Sequence, residues 1–157
     1  MASRIFVHGL ESSNKGTKSV FFKERYPDMI IPHFTGELSE RMEKLKDVLE
    51  GAEAIRLVGS SFGGLMGTLF AMSNESRVDK LILLAPAIHM LESVPYDLKK
   101  LSLHTWIYHG NRDEVIPLRE VERVAGKYFS NFTFQRVDDD HFLHRSFNTI
   151  DWHSLLA

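Results

Sequence analysis

The sequence contains no cysteine, and this absence excludes several kinds of site. Without thiols the 157-residue chain has no disulfide scaffold, no cysteine nucleophile and no thiolate-bound metal. Hydrophobic runs are also short, because the longest, residues 81–88, is interrupted by Pro86 and does not reach the length of a membrane span. The N-terminal residues do not combine a basic start, an apolar segment and a small-residue cleavage site. We therefore expect a soluble, cytoplasmic protein that does not associate with membranes.

An excess of charge of one sign is missing as well. The chain has 19 Lys and Arg residues against 21 Asp and Glu residues, which gives a formal net charge of −2. This balance offers no attraction for a polyanion, so we do not expect nucleic acid as a partner. The 43% of hydrophobic and 25% of charged residues are ordinary for a globular protein, and the length fits one domain. We predict a single domain over residues 1–157.

The spacing of apolar residues predicts strands that alternate with helices. Strands are predicted at 5–7, 28–31, 54–58, 81–85, 105–109 and 132–137, and helices at 37–49, 62–72, 118–128 and near the C terminus. A polar loop is predicted between the first two strands, Thr35 is the predicted cap of the helix at 37–49, and Gly51 suits its end. Alternation of this kind, with a nearly continuous apolar strand at 81–85, is typical of a parallel sheet covered on both faces. We predict an α/β fold, a three-layer α/β/α sandwich with a mostly parallel sheet of about six strands.

The segment from Gly59 to Gly63 carries the sharpest motif in the chain. Gly59, Ser61 and Gly63 satisfy the pattern G-x-S-x-G where a predicted strand ends and an apolar helix begins, which is the setting of a nucleophile elbow. A serine there lies beside a helix N-terminus, whose dipole favours developing negative charge. Ser60 is a weaker candidate because its offset breaks the glycine spacing. The same pattern also fits a glycine-rich turn without chemistry, or a phosphate cradle.

Two further polar residues follow predicted strands. Asp113 comes after the strand at 105–109, and His141 lies on the loop after the strand at 132–137. With Ser61 they stand in the order Ser, Asp, His that is typical of one particular fold. Asp113 also suits a turn that enters a helix. The alternatives to these residues are Glu114, Asp138, Asp139 or Asp140 as the acid and His144 as the base.

Together with the His8-Gly9 pair after the first strand, these motifs resemble the α/β-hydrolase superfamily along essentially the whole chain. Within it the chain is most similar to small, nearly lidless bacterial esterases. The resemblance implies that Ser61 is the nucleophile, that His141 is the general base and acid, and that Asp113 orients the histidine. Such a protein cleaves its substrate through an acyl-enzyme.

The resemblance also implies an oxyanion hole, built from the backbone amides of Leu10 and Phe62. The chain departs from the family pattern at Asp140, because a glycine commonly precedes the catalytic histidine. The segment at 86–102, where relatives often insert a lid, is short. A short lid favours an open site for small or medium acyl groups.

The predicted function is that of a serine hydrolase acting on small-molecule carboxylic esters or thioesters. The candidates for an apolar wall of the acyl site are Met90, Leu91, Val94, Tyr96, Ile116 and Phe142. We expect no cofactor, because no G-x-G-x-x-G follows a strand. We expect no metal either, because HExxH is absent and His141 with His144 provides fewer ligands than a catalytic zinc site has.

Other functions use the same residues. An amidase, a peptidase or an acyltransferase would need the same triad. A hydrolase-shaped binding protein would keep the pocket without turnover, and a flavodoxin-like phosphate or nucleotide binder would use only the turn at 59–64. A homodimer that covers part of the pocket mouth is compatible with the sequence, although no residue requires it.

Overall fold

The computed structural model describes residues 2–157, which form a five-stranded sheet. The strands lie in the sheet in the order in which they occur in the chain, and every neighbouring pair is parallel. They are β1 (Ala2–Val7), β2 (Glu53–Ser60), β3 (Val78–Leu84), β4 (Thr105–Gly110) and β5 (Phe132–Val137). The predicted α/β fold with a parallel sheet is confirmed.

The sheet has five strands rather than about six, because the segment at 28–31 does not become a strand. It runs beside β1 and forms an isolated bridge between Ile5 and Ile30. Two hydrogen bonds make this bridge, from Phe6 N to Ile30 O at 3.0 Å and from Ile30 N to Arg4 O at 2.8 Å. Pro32 follows almost at once, and since proline has no N–H the ladder ends there.

Helices cover both faces of the sheet. They are α1 (Thr17–Arg25), α2 (Leu38–Val48), α3 (Phe62–Ser73), α4 (Leu118–Tyr128) and α5 (Trp152–Leu156), with short 3₁₀ segments at Glu75–Arg77, Ile88–Ser93 and Phe147–Thr149. Helices α2, α3 and α4 contribute to the larger hydrophobic core on one face. Helices α1 and α5 pack on the opposite face. None of the helices formed by residues 2–157 has the length and apolar character needed to span a membrane.

Helix α1 occupies part of the segment that we predicted as a polar loop, so that prediction is wrong for Thr17–Arg25. Only two of its residues, Ser19 and Phe22, are buried, and a helix with so narrow a buried stripe gives a weak periodic signal. Phe22 nevertheless anchors it, since its ring packs against Phe6, Phe147 and Trp152.

Helix α2 begins later than predicted and uses a different cap. Its N-cap is Glu37 and not Thr35, and a capping box joins the side chain of each of Glu37 and Glu40 to the backbone N–H of the other. This reciprocal arrangement satisfies two amides that the first turn of a helix leaves free. The helix ends at Val48, and Gly51 has a φ of 77°, a left-handed conformation that glycine adopts without strain.

The sheet also fixes where a site forms. Because all five strands are parallel, their carboxyl ends lie at the same edge of the sheet. The segments that follow β1, β2, β4 and β5 there carry His8, Ser61, Asp113 and His141. This edge is the usual place for a ligand site in an open α/β sheet.

Candidate active site

Ser61 occupies a strained turn between β2 and α3. Its backbone has φ 55° and ψ −117°, a sparsely populated conformation that costs about 1–3 kcal/mol. Its N–H donates to the carbonyl oxygen of Leu84 at 2.9 Å, and its carbonyl oxygen accepts from the amides of Gly64 and Ala87, both at 2.9 Å. These hydrogen bonds from two neighbouring segments hold the serine in the conformation of a nucleophile elbow.

The glycines of the motif are required because α3 crosses very close to the sheet. A Cβ atom at Gly59 would lie 2.5 Å from the carbonyl oxygen of Gly63. A Cβ atom at Gly63 would overlap the backbone carbonyl groups of Val7 and His8. The G-x-S-x-G pattern therefore has a steric cause in this chain, in agreement with its interpretation as an elbow.

The three residues predicted to form the triad lie in one hydrogen-bonded chain. Ser61 Oγ is 3.1 Å from His141 Nε2, and His141 Nδ1 is 2.7 Å from Asp113 Oδ2. Because an ionised carboxylate only accepts hydrogen bonds, the proton of the neutral imidazole belongs on Nδ1. The lone pair of Nε2 then faces the serine hydroxyl, which donates to it.

Asp113 is held as an anion. Its side chain is 0% exposed, and its second oxygen, Oδ1, accepts from the amides of Val115 at 2.9 Å and Ile116 at 2.7 Å. Burial alone would raise the pKa of Asp113, but the hydrogen bonds from His141 and from these two amides outweigh it, so that the pKa lies below its usual value. The carboxylate is therefore a fixed acceptor that sets the orientation of the His141 ring.

A second histidine, His109, supports the acid, and sequence reasoning missed it. It is fully buried at the end of β4, and its Nε2 is 2.8 Å from the carbonyl oxygen of Ile116 and 3.2 Å from Asp113 Oδ2. Both neighbours are acceptors, so Nε2 carries the proton, and burial lowers the pKa of His109, which favours the neutral ring. Its Nδ1 has no partner within residues 2–157. His109 thus fixes the turn whose amides bind Asp113.

The loop that carries His141 is folded around Asp139. This side chain is 1% exposed, and its oxygens accept from the amides of Asp140 at 2.8 Å, Arg145 at 2.9 Å and Ser146 at 2.7 Å. Burial would raise the pKa of Asp139, but hydrogen bonds from Ser146, Asp140 and Arg145 lower it. Asp139 therefore ties together the loop on both sides of His141, and its oxygens bond to backbone amides rather than to the His141 ring.

Asp140 and His144 pair with each other rather than with Ser61. Asp140 Oδ1 accepts from the amides of Phe142 at 3.0 Å and His144 at 3.3 Å, and Oδ2 is 2.6 Å from His144 Nδ1. Burial would raise the pKa of Asp140, but these hydrogen bonds lower it to about 2. The His144 side chain is 71% exposed. Neither residue is hydrogen-bonded to the serine: His144 lines the cavity beside it, but its ring is paired with Asp140.

The remaining alternatives also lie apart from the hydrogen-bonded chain. Asp138 pairs on the surface with Arg112 and Arg145. Glu114 is exposed and makes no ion pair within residues 2–157. Ser60 still belongs to β2, and in the described part of the chain the His141 ring is hydrogen-bonded to Ser61 and not to Ser60. The geometry therefore favours Ser61, Asp113 and His141 over every alternative that the sequence left open.

The two amides predicted for an oxyanion hole are both free to donate. Phe62 is the first residue of α3, where the N–H groups of a helix have no partner within the helix. Leu10 lies in the turn that follows β1. Within residues 2–157 neither N–H has a backbone or side-chain acceptor.

His8 sets the direction of the Leu10 amide. Its Nε2 accepts from Phe34 N at 2.9 Å, so the proton lies on Nδ1, which donates to the carbonyl oxygen of Gly9 at 2.7 Å. Burial lowers the pKa of His8, which keeps the ring neutral. The carbonyl of Gly9 and the N–H of Leu10 belong to one planar, trans peptide group and point in opposite directions. By holding the carbonyl, His8 therefore directs the N–H away from itself.

A cavity of about 630 Å³ opens beside Ser61 and His141. Apolar side chains form much of its wall, namely Phe6, Leu10, Phe21, Val115, Phe142, Leu143 and Phe147. Besides His141, the lining contains three charged or titratable residues, namely Glu11, Lys18 and His144. A cavity of this size and composition is typical of a small-molecule site.

The predicted acyl wall is mostly wrong. Only Phe142 of the six predicted residues lines the cavity. Leu91 and Ile116 are buried in the larger core, and Met90, Val94 and Tyr96 pack against that core. The cause is the segment Ile88–Ser93, which folds back onto α3 and α4 instead of extending over the site. The residues that do form the wall include Phe21 and Lys18 of α1, a helix that the sequence pattern did not reveal.

The described residues offer no evident metal centre. Within residues 2–157 no three His, Asp or Glu side chains lie in an arrangement that could hold a metal ion. The carboxylates of Asp113, Asp139 and Asp140 instead accept hydrogen bonds from backbone amides or histidine rings.

Comparison with known proteins gives one family and many similar structures. The alpha/beta hydrolase fold model matches residues 11–106. Est1E from Butyrivibrio proteoclasticus is similar with a TM-score of 0.76 and 16% identity, over 98% of this chain and 85% of that one. A protein assigned to the hydrolases of the alpha/beta superfamily from Xanthomonas campestris has a TM-score of 0.75 and 24% identity, over 94% and 91%. None of the curated proteins compared with the chain matches it.

Proposed function

Because the chain belongs to the alpha/beta hydrolase fold family, we propose that it is a serine hydrolase of carboxylic esters or thioesters with small to medium acyl groups. The observation that carries the proposal is the hydrogen-bonded chain from Ser61 through His141 to Asp113. This chain lies beside a cavity that a small molecule fits. A protein that only binds a ligand has no need for all three residues in this order.

The proposed reaction begins when the Ser61 oxygen attacks the carbonyl carbon of the substrate and His141 Nε2 takes the hydroxyl proton. Negative charge develops on the carbonyl oxygen, and the amides of Leu10 and Phe62 donate to it. The bond to the alcohol or thiol then breaks, and the leaving group takes the proton from His141. Water attacks the acyl-enzyme in the same way and releases the acid.

Asp113 acts through the histidine. Its carboxylate holds the proton on His141 Nδ1, which keeps Nε2 available as a base, and it stabilises the imidazolium that forms when Nε2 is protonated. The acid itself stays ionised throughout, in agreement with its lowered pKa.

A fluorophosphonate probe tests the proposal without any choice of substrate, because it reacts with an activated serine beside an oxyanion hole. We expect labelling of the wild-type protein, mapped to Ser61, and none in Ser61→Ala. Ser60→Ala is the matched control and should still be labelled. A folded wild-type protein that is not labelled would contradict the proposal.

A panel of p-nitrophenyl esters with acyl chains of increasing length tests the proposed size of the acyl group. We expect the highest kcat/KM for short and medium chains, since a cavity of about 630 Å³ has room for a small ligand. Fastest turnover of the longest chains would show that the site is not restricted in this way.

A further inference from the structure

Among residues 2–157, Lys18 is the one lysine that lines the cavity next to Ser61. It belongs to α1, and its Nζ donates to the carbonyl oxygen of Phe142 at 2.7 Å. The same nitrogen lies 5.4 Å from the centre of the Phe147 ring. No carboxylate within residues 2–157 forms a salt bridge with it. The ammonium group therefore has a neutral acceptor and an aromatic face, but no ion pair.

The surroundings leave this charge only partly compensated. Burial lowers the pKa of Lys18, while Asp140 and Asp139 oppose that effect from a distance. Both carboxylates are already engaged by the loop that carries His141, Asp139 through three amides and Asp140 through two amides and His144. A partly desolvated ammonium with unused N–H donors is a favourable partner for an anion.

A purely structural role for Lys18 accounts for only part of this arrangement. The hydrogen bond to Phe142 ties α1 to the loop that carries His141, but one uncharged donor would suffice for it. Next to the lysine the cavity wall is aromatic, with Phe21 and Phe147. In a cavity of this kind a few polar groups decide which ligand binds.

We propose that Lys18 determines specificity, and that the preferred substrates are esters or thioesters that carry a carboxylate on the apolar group occupying the cavity. The carboxylate pairs with Lys18 Nζ, while the scissile carbonyl lies at Ser61. The aromatic wall reduces the access of water to the pair, which strengthens a charge-assisted hydrogen bond. This inference rests on the proposed function, and it names the class of substrate for the same site.

The experiment compares p-nitrophenyl monoesters of linear dicarboxylic acids of increasing chain length with their ω-carboxamide analogues. At the best length we expect kcat/KM for the carboxylate to exceed that for the amide by about 10- to 100-fold, the worth of a hydrogen bond to a charged group. Lys18→Met should abolish this ratio, and Lys18→Arg, which keeps the positive charge, should retain most of it. Lys23→Met removes an exposed charge from the same helix and should leave the ratio unchanged.

The ratio between the two substrates separates specificity from a structural effect. If Lys18→Met only loosens the loop that carries His141, both substrates slow equally and the ratio stays as in the wild type, which would overturn the inference. Equal rates for both substrates in the wild type would overturn it too, and would leave the proposed function standing. If neither is hydrolysed although a fluorophosphonate labels Ser61, the substrate class is wrong. If Ser61 is not labelled either, the proposed function itself fails.

Discussion

Replacing Asp113 with Asn reverses one hydrogen bond of the site and conserves the shape of the side chain. Oδ1 accepts from the amides of Val115 and Ile116, so in the variant the amide oxygen stays at that position. The NH₂ group then stands at the position of Oδ2, which is 2.7 Å from His141 Nδ1. Because NH₂ only donates, Nδ1 must give up its proton, and the proton moves to Nε2.

This tautomer cannot serve as the base. His141 would present an N–H to Ser61, and the serine hydroxyl would lose its acceptor. The corresponding substitution in a serine protease triad lowers kcat by about 10,000-fold, which corresponds to about 5.5 kcal/mol of activation free energy. The Asp113 side chain is 0% exposed, so water does not replace the missing acceptor, and we expect a loss of this size.

The assay measures both ester hydrolysis and the rate of fluorophosphonate labelling, because both need the same activated serine. Circular dichroism verifies that Asp113→Asn is folded. Glu114→Gln is the matched control, since it removes the neighbouring exposed carboxylate and should retain wild-type activity. A folded Asp113→Asn variant that stays within about tenfold of the wild type would refute the reasoning from the tautomer.

Three further predictions concern stability. Gly63→Val should lower the free energy of unfolding by at least about 2 kcal/mol in a denaturant titration, because its side chain collides with carbonyl groups at the end of β1. Gly126→Ala in α4, where no atom lies within 4 Å of the new Cβ, should instead stabilise by about 0.5–1 kcal/mol, and a loss there would contradict the steric argument. Phe22→Ala should cost about 3–5 kcal/mol because Phe22 is fully buried, whereas Val20→Ala on the exposed side of α1 should stay within about 0.5 kcal/mol. Folding lowers the pKa of Asp140 from 3.8 to about 2, so its ionised carboxylate stabilises the folded state, and this stabilisation is fully present at pH values above the pKa of the unfolded chain. The stability difference between wild type and Asp140→Asn should therefore shrink as the pH falls from 4 towards 2, and a difference that persists at the lowest pH would show another cause.

The sequence is enough to predict the fold class and the residues of the hydrogen-bonded chain. Each of Ser61, Asp113 and His141 comes a few residues at most after the end of a predicted strand, and parallel strands bring their carboxyl ends to one edge. The signal at Ser61 is strong because the glycines on either side of it are imposed by backbone contacts. Because such contacts require glycine at fixed distances from the serine, they can be recognised as a short sequence motif.

The parts that the sequence did not reveal depend on contacts between distant segments. The tautomer of His8 is set by the backbone amide of Phe34, and His109 acts through the carbonyl of Ile116, so neither of these contacts can be predicted from a contiguous motif. Helix α1 buries little of its surface, so the sequence pattern predicted neither the helix nor the position of Lys18 and Phe21 in the cavity wall. The apolar segment at 88–93 faces α3 and α4, and its composition alone does not distinguish packing on a helix from covering a cavity.

The position of β5 has a consequence for how the protein loses activity. In the described part of the chain this strand lies at the border of the sheet and pairs only with β4. Its residues are half-buried or exposed, whereas most of β3 is buried. Border strands open more readily than central ones, in local fluctuations that leave the rest of a protein folded. Since the loop that carries His141 follows β5, each such opening displaces the proposed base while the elbow around Ser61 stays intact. Catalysis should therefore fail under milder heat or denaturant than the helical signal does, and it should return as soon as the border strand docks again.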